Sequence, residues 1–257
     1  MSTALVAIEL QECPEGRVAR ITLRRPEKRN ALSREAAEQL IEAFAELKQD
    51  ARLRLAVLTG AGDKAFIGGA DLNDLAGLDR ASARGFIAAV HGVCAGIRAL
   101  PVPVLGRING YCLGAGLEIA AACDLRIAAD NAVFGMPEVR VGLPSVVEAA
   151  LLPCLVGWGK AREIVYLARN YGAQEALAMG LVGRVVPAPE LDAAVAEWSA
   201  DILAAAPQAI RLQKALIAEW EAGPLDRAIL AGIDALAAAY AGDEPARYIA
   251  ALRARRR

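Results

Sequence analysis

The chain has 257 residues, 56% of them hydrophobic, with 29 basic side chains against 30 acidic ones and a formal net charge of −1. That apolar content is ample for a substantial core, in one large domain or in one domain with an appendage. The charge balance excludes a global field steering the chain to nucleic acid or to a membrane surface, so an anionic ligand has to be met by a local site.

The opening stretch, MSTALVAIELQECPEG, turns acidic early and lacks a basic start followed by an apolar run, so no secretory signal is expected. Residues 17–23 (RVARITL) alternate as a strand does, and residues 26–30 (PEKRN) make a turn before a helix from Ser33, its N-cap, to about Gln49. Residues 54–59 (RLAVLT) read as a buried strand closed by Gly60-Ala61-Gly62. Gly68-Gly69-Ala70-Asp71 then interrupts the chain before a helix over residues 81–100, stopped by Pro101 and Pro103. A strand at 104–108, a helix at 114–122 and a strand at 125–128 continue the alternation of an α/β core. Strand, glycine-rich turn and helix recur around residues 54–100 and 104–124, without a sequence period. The last third is mainly helical, over 160–168, 173–179, 191–205, 207–219 and 225–240, with one short strand at 181–186. The closing RARRR, residues 253–257, reads as a solvated tail, with a phosphate grip as the alternative.

Every apolar stretch breaks at charge, glycine or proline well short of ~20 residues, so no membrane span is expected. Cys13, Cys94, Cys112, Cys123 and Cys154 form no C-x-x-C pair and lie mostly in apolar runs, which reads as reduced core thiols and a cytoplasmic setting. With one histidine, His91, and no clustered ligands, no metal site is expected.

Glu118 is the only charge in residues 108–123 (INGYCLGAGLEIAAAC), directly after a Gly-Ala-Gly step. A carboxylate there leaves water, which costs free energy and raises its pKa unless something pairs with it. A helix opening at Gly114–Gly116 aims free N–H groups at a ligand, and Ala115 and Glu118, three residues apart, project to nearly the same side. The FIGGAD turn, residues 66–71, supplies a second exposed backbone for the same oxygen. Glu138, in FGMPEVRVG, is a second acid in a constrained apolar setting, and two such acids suggest proton transfer. Each feature also has a plain structural reading. Glu118 serves equally as a dipole-pairing first-turn residue, Glu138 as a partner of Arg140, Gly68-Gly69 as a tight turn, His91 as a structural residue and Glu148 as a helix-surface or capping residue.

Four segments carry a family resemblance: Arg25-Pro26-Glu27-Lys28-Arg29-Asn30-Ala31-Leu32, Ala65-Phe66-Ile67-Gly68-Gly69-Ala70-Asp71-Leu72, Asn109-Gly110-Tyr111-Cys112-Leu113-Gly114-Ala115-Gly116-Leu117-Glu118, and Phe134-Gly135-Met136-Pro137-Glu138. In order and spacing they resemble the crotonase superfamily, the enoyl-CoA hydratase/isomerase group, over nearly the whole chain. The resemblance implies a crotonase-like spiral of ββα units over residues 1–190, holding an acyl-CoA site, and a helical trimerisation region over 191–257. It implies an acyl-CoA thioester as substrate, no cofactor beyond the coenzyme A of that substrate, and a homotrimer or a dimer of trimers.

Carried over by position, the Ala70 and Ala115 amides form an oxyanion hole, and Glu118 and Glu138 hold the water that adds across a trans-2-enoyl-CoA double bond. Glu118 as carboxylate takes the water's proton and Glu138 delivers one to C2, though coupled carboxyls titrate as a pair and can share these roles. Lys28, Arg29 and Ala31 match the stretch along the CoA nucleotide, and Asp71 and Leu72 flank the pantetheine path. Gly68, Tyr111, Leu113, Gly114, Pro137, Val141 and Gly142 complete the implied substrate contacts. Three departures stand out. Ala115 replaces a frequent glycine, Met136 a frequent glutamine, and Gly142-Leu143-Pro144-Ser145-Val146-Val147-Glu148 a glycine-rich stretch, so a different acyl pocket is expected.

A Δ3,Δ2-enoyl-CoA isomerase needs only the acid at position 138, so the presence of Glu118 argues for hydration. A dehalogenase of the same superfamily needs an aspartate after that position, and none occurs between Asn131 and Leu191. A serine hydrolase lacks its G-x-S-x-G elbow and a Rossmann dehydrogenase its third glycine. A noncatalytic acyl-CoA-binding or assembly protein is the competing class.

Overall fold

The computed structural model describes residues 4–255. Strands β1 (Val6–Cys13) and β2 (Gly16–Leu23) pair antiparallel, and β2 buries Ala19, Ile21 and Leu23 as its alternation predicts. Helix α1 (Arg34–Lys48) begins where the Ser33 hydroxyl accepts from the Ala36 amide at 3.2 Å, and it buries Leu40, Phe44 and Leu47 along one face. Ser33→Ala should therefore lower the denaturation midpoint by the equivalent of ~1 kcal/mol at unchanged slope. An unchanged midpoint would show that the hydroxyl contributes nothing net. Strand β3 (Leu53–Gly60) is buried throughout, as a central parallel strand covered on both faces has to be.

From β3 the chain alternates between two sheets. Strand β4 (Ala65–Ile67) joins a small sheet, helices α2 (Leu72–Ala76) and α3 (Arg80–Ala99) follow, and β5 (Val104–Ile108) returns to the large sheet. Strand β6 (Tyr111–Leu113), helix α4 (Ala115–Ala122) and strand β7 (Leu125–Ala129) repeat the pattern, and β8 (Val133–Gly135) opens it again. Helix α5 (Leu152–Leu167), strand β9 (Tyr171–Gly172), helix α6 (Ala173–Ala178) and strand β10 (Arg184–Val186) complete the core. The large sheet runs β1-β2-β3-β5-β7-β10 and the small one β4-β6-β8-β9, parallel except for β1/β2 and β8/β9. The recurrence sensed in residues 54–100 and 104–124 is thus a ββα unit: a large-sheet strand, a small-sheet strand, then helix.

Four helices follow: α7 (Leu191–Ala204), α8 (Pro207–Ala222), α9 (Leu225–Ala239) and α10 (Glu244–Arg255). Helix α7 packs Leu191, Ala194 and Val195 on Leu55, Leu105 and Ile127 of the large sheet. Lys214 of α8 is buried, with its ammonium donating to Asp124 at 2.8 Å and to the Val102 and Ile97 carbonyls. Helix α9 is held less: Ala228 is its buried residue, whereas Leu225, Ile229, Leu230, Ile233 and Leu236 are exposed.

Several elements differ from expectation. The helix expected at 160–168 is the second of two helical segments in α5, which part at Gly157, whose φ of 74° and ψ of 157° are not helical, and it ends at Leu167. The strand expected at 181–186 shortens to Arg184–Val186, because the Leu181 and Val182 amides turn back to the Ala176 carbonyl. Arg253 to Arg255 end α10 rather than forming a loose tail; Arg256 and Arg257, like residues 1–3 of the opening stretch, lie outside the described residues. Cys94, Cys112 and Cys123 are buried thiols as expected, but Cys154 is exposed. Among the described residues no helix is long and apolar enough to cross a membrane.

Candidate active site

The groups nominated for chemistry leave the small sheet at one edge. Ala70 follows β4, Ala115 opens α4 after β6, and Glu138 follows β8; these strands are parallel neighbours, so their carboxyl ends lie together. Two glycines allow the approach. A Cβ on Gly116 would sit 2.0 Å from the Ile67 carbonyl oxygen, so only a bare backbone lets the first turn of α4 press against the end of β4. Gly114 turns the chain at φ 50° and ψ −122°, and a Cβ there would lie 2.4 Å from Glu138 Oε1.

Within the described residues, neither the Ala70 nor the Ala115 amide is spent in a hydrogen bond; the bridge between Leu32 and Ala70 uses Gly69 and Asp71 instead. Ala115 is the first helical residue, so its N–H is one of the free donors at the positive end of α4. Both alanines, Glu118 and Glu138 line a single cavity of about 650 Å³. Its remaining lining is largely apolar, from Leu75, Leu78, Phe86, Ile87 and Val90 together with Leu143, Pro144 and Val146, and also includes the charged Asp79, Arg80 and Arg84. The segment that departs from the family pattern therefore shapes this pocket.

Glu118 is 4% exposed. Burial, followed by the charges of Glu138 and Glu148, pushes its pKa up to about 8, against the pull of the Val146 and Ala149 amides on its carboxylate. Glu138 is also raised by burial, with the Ser145 hydroxyl, donating at 2.9 Å, acting the other way. In the resting chain the proton the pair keeps near neutral pH is thus favoured on Glu118. The alternative pairing of Glu138 with Arg140 does not form, since Arg140 donates to the Leu167 carbonyl. Glu148 is buried rather than on a helix surface, and it meets His91 Nδ1 at 2.8 Å.

The other nominated residues are spread more widely. Lys28 and Asp71 line a neighbouring cleft with Arg25 and Arg34. Asp71 is committed there: Arg25 donates to it at 2.7 Å and the Asn73 amide at 3.0 Å, which outweigh burial and hold its carboxyl below the usual range. Arg29 stacks 4.9 Å over the Tyr111 ring. Leu72 and Val141 are exposed, Gly114 touches Glu138, and Ala31, Gly68, Leu113, Pro137 and Gly142 line neither cavity. Sequence reasoning missed Ser145 and the cavity-lining Val146. The seven-residue departure beginning at Gly142 was the signal available for them. No group of three or more metal-ligating side chains occurs among the described residues.

The sequence model described as enoyl-CoA hydratase/isomerase matches residues 14–241. The short-chain-enoyl-CoA hydratase of Clostridium acetobutylicum is 38% identical over 204 residues, covering 79% of this chain and 78% of that one. The crotonyl-CoA hydratase of Syntrophomonas wolfei is 37% identical over 228 residues, 88% of each chain. Among solved structures, an enoyl-CoA hydratase from Bacillus anthracis superposes with a TM-score of 0.93 at 31% identity, covering 98% of this chain and 96% of that chain. The two mixed sheets and C-terminal helices are thus a crotonase-like fold.

Proposed function

The chain belongs to the enoyl-CoA hydratase/isomerase family, and on that premise we propose that it adds water across the 2,3 double bond of trans-2-enoyl-CoA thioesters to give 3-hydroxyacyl-CoA. One observation carries the reading: two free backbone amides, a buried glutamate and a half-buried one line the same largely apolar cavity. The Ala70 and Ala115 N–H groups polarise the thioester oxygen, and each such donor is worth ~3 kcal/mol in the transition state. Polarisation of the carbonyl conjugated with the double bond leaves C3 electron-poor and open to attack by water, and the enolate-like charge that this attack sends to the oxygen is held by the same two amides until C2 takes a proton. One carboxyl accepts the water's proton while the other supplies a proton to C2, so the pair works with a single shared proton.

That requirement predicts a bell-shaped pH profile for kcat/KM. Below the acid limb both carboxyls are protonated and no base remains. Above about pH 8, where Glu118 ionises, no acid remains, so activity falls. A profile still rising well above this range would remove the shared proton from the reaction.

The largely apolar lining supports an uncharged acyl chain, and Lys28, in the cleft beside Asp71, supports the CoA nucleotide end. The exposed apolar side chains of α9 support a homotrimer, or two trimers paired, built through residues 191–257. A cytoplasmic setting is part of the proposal. Purified protein mixed with crotonyl-CoA should lose the conjugated thioester absorbance and yield 3-hydroxybutyryl-CoA. Turnover of a 3-enoyl-CoA to the 2-enoyl isomer without hydration would favour the isomerase, and binding without turnover a noncatalytic role.

A further inference from the structure

The 3-10 turn Val147–Leu151 holds a group that this scheme leaves unused. Glu148 is 7% exposed, on a turn that follows the cavity-lining Val146 and packs against α4, the helix that carries Glu118. One of its oxygens meets His91 Nδ1 at 2.8 Å, and the other is buried without a hydrogen-bond partner among the described residues. Burying a carboxylate is costly unless it is compensated, and here the hydrogen-bonded compensation comes from one imidazole on another helix. His91 follows Val90, a cavity-lining residue of α3, and its side chain is 58% exposed, so the contact runs from solvent to the interior. Between Val146 and Glu148, Val147 is held at φ 38°, a left-handed conformation that a β-branched side chain avoids. Such a backbone persists only where its surroundings fix it.

We propose that Glu148 and His91 form a positioning pair for the hydration reaction, tying the strained turn to α3 so that Val146 holds its place in the cavity wall with Glu118 and the Glu148 carboxyl keeps its place against α4. The proposal rests on the hydratase reading of Glu118. The ionisable groups facing Glu148 are His91 and Cys94 from α3 and Glu118 from α4; the Cys94 thiol is pushed up by burial and then by the Glu148 charge. Helix α5, packed on the same turn, commits Lys160 to Glu163 and Arg162 to the Trp158 ring.

The test compares wild type, Glu148→Gln and Glu148→Asp for kcat and KM with crotonyl-CoA across pH, alongside thermal melting. Glu148→Gln should lower kcat about tenfold with KM little changed, the pattern of a lost transition-state interaction. Its alkaline limb should move down by about half a pH unit, because a negative charge near Glu118 has gone. Glu148→Asp keeps the charge while shortening its reach, so kcat falls with the limb unmoved. A merely structural role would lower the melting temperature and leave the limb in place in the folded Gln variant, which overturns the proposal. Should wild type fail to hydrate crotonyl-CoA, the hydratase reading falls separately; a 13C NMR titration of the Glu118 carboxyl then decides the link, and an identical titration in wild type and Glu148→Gln sinks it. If Glu148→Gln does not fold, His91→Gln, altered at an exposed side chain, takes its place, and an unmoved titration of Glu118 is again fatal.

Discussion

Glu118→Gln should lower crotonyl-CoA turnover by about 10²–10⁴-fold, the contribution expected of a positioned acid or base, while making the fold more stable at alkaline pH. The two effects share a cause. In the unfolded chain Glu118 ionises in the ordinary carboxylate range, near 4.5, whereas in the folded chain burial delays ionisation to about pH 8. An acid with a raised folded-state pKa leaves stability intact below its unfolded value, and stability is lost as pH rises through the folded value. Wild type therefore forfeits at most about 5 kcal/mol between those limits, and the neutral amide forfeits none of it. Melting temperatures of the two proteins should converge below about pH 4.5, separate progressively as pH rises, and differ by a constant amount above about pH 8, the variant melting higher. Full activity would take the carboxylate out of the reaction, and parallel melting curves would show that Glu118 is not desolvated.

Gly114→Ala should damage the site by a single added carbon. The backbone at φ 50° and ψ −122° is a glycine conformation, so a side chain costs roughly 1–3 kcal/mol in strain alone. The new methyl would also fall 2.4 Å from Glu138 Oε1 and displace that carboxyl. Turnover should drop about 10²-fold or more, since small misplacement of a catalytic group is enough to do so. Strain and displacement separate in a double-mutant cycle with Glu138→Ala. Removing the carboxyl relieves the clash, so the two stability losses should be less than additive by roughly 0.5–3 kcal/mol. Additive losses would mean that the methyl and the carboxyl do not meet.

The chain reveals its site more readily than its scaffold. The FIGGAD turn and the Gly-Ala-Gly step are visible because close backbone contact demands glycine, and a lone glutamate among alanines is conspicuous. The small-sheet strands are not visible, because β4, β6 and β8 have three residues each, too few to establish a period of two. Strand β1 is not legible either, because, as an edge strand, it is half-exposed or exposed along its length and shows no clear alternation. The burial of Glu148 is hidden for a different reason: its partner His91 lies 57 residues away and α3 and α4 pack on its turn, which local sequence does not record. Asp71 shows the reverse limit, since an acid beside a glycine turn looks available to substrate until Arg25 and the first turn of α2 are seen to occupy it.

All the reactive groups sit on connections that emerge where β4, β6 and β8 end, while the strands themselves contribute only support. Scaffold and chemistry are thereby modular. Exchanging the 136–148 connection for one of another length should re-specify the acyl group, or retire the second acid, without disturbing the ladders beneath it. Such an architecture lets new reactions arise by loop replacement, each inheriting an electrophile-activating backbone it did not have to evolve.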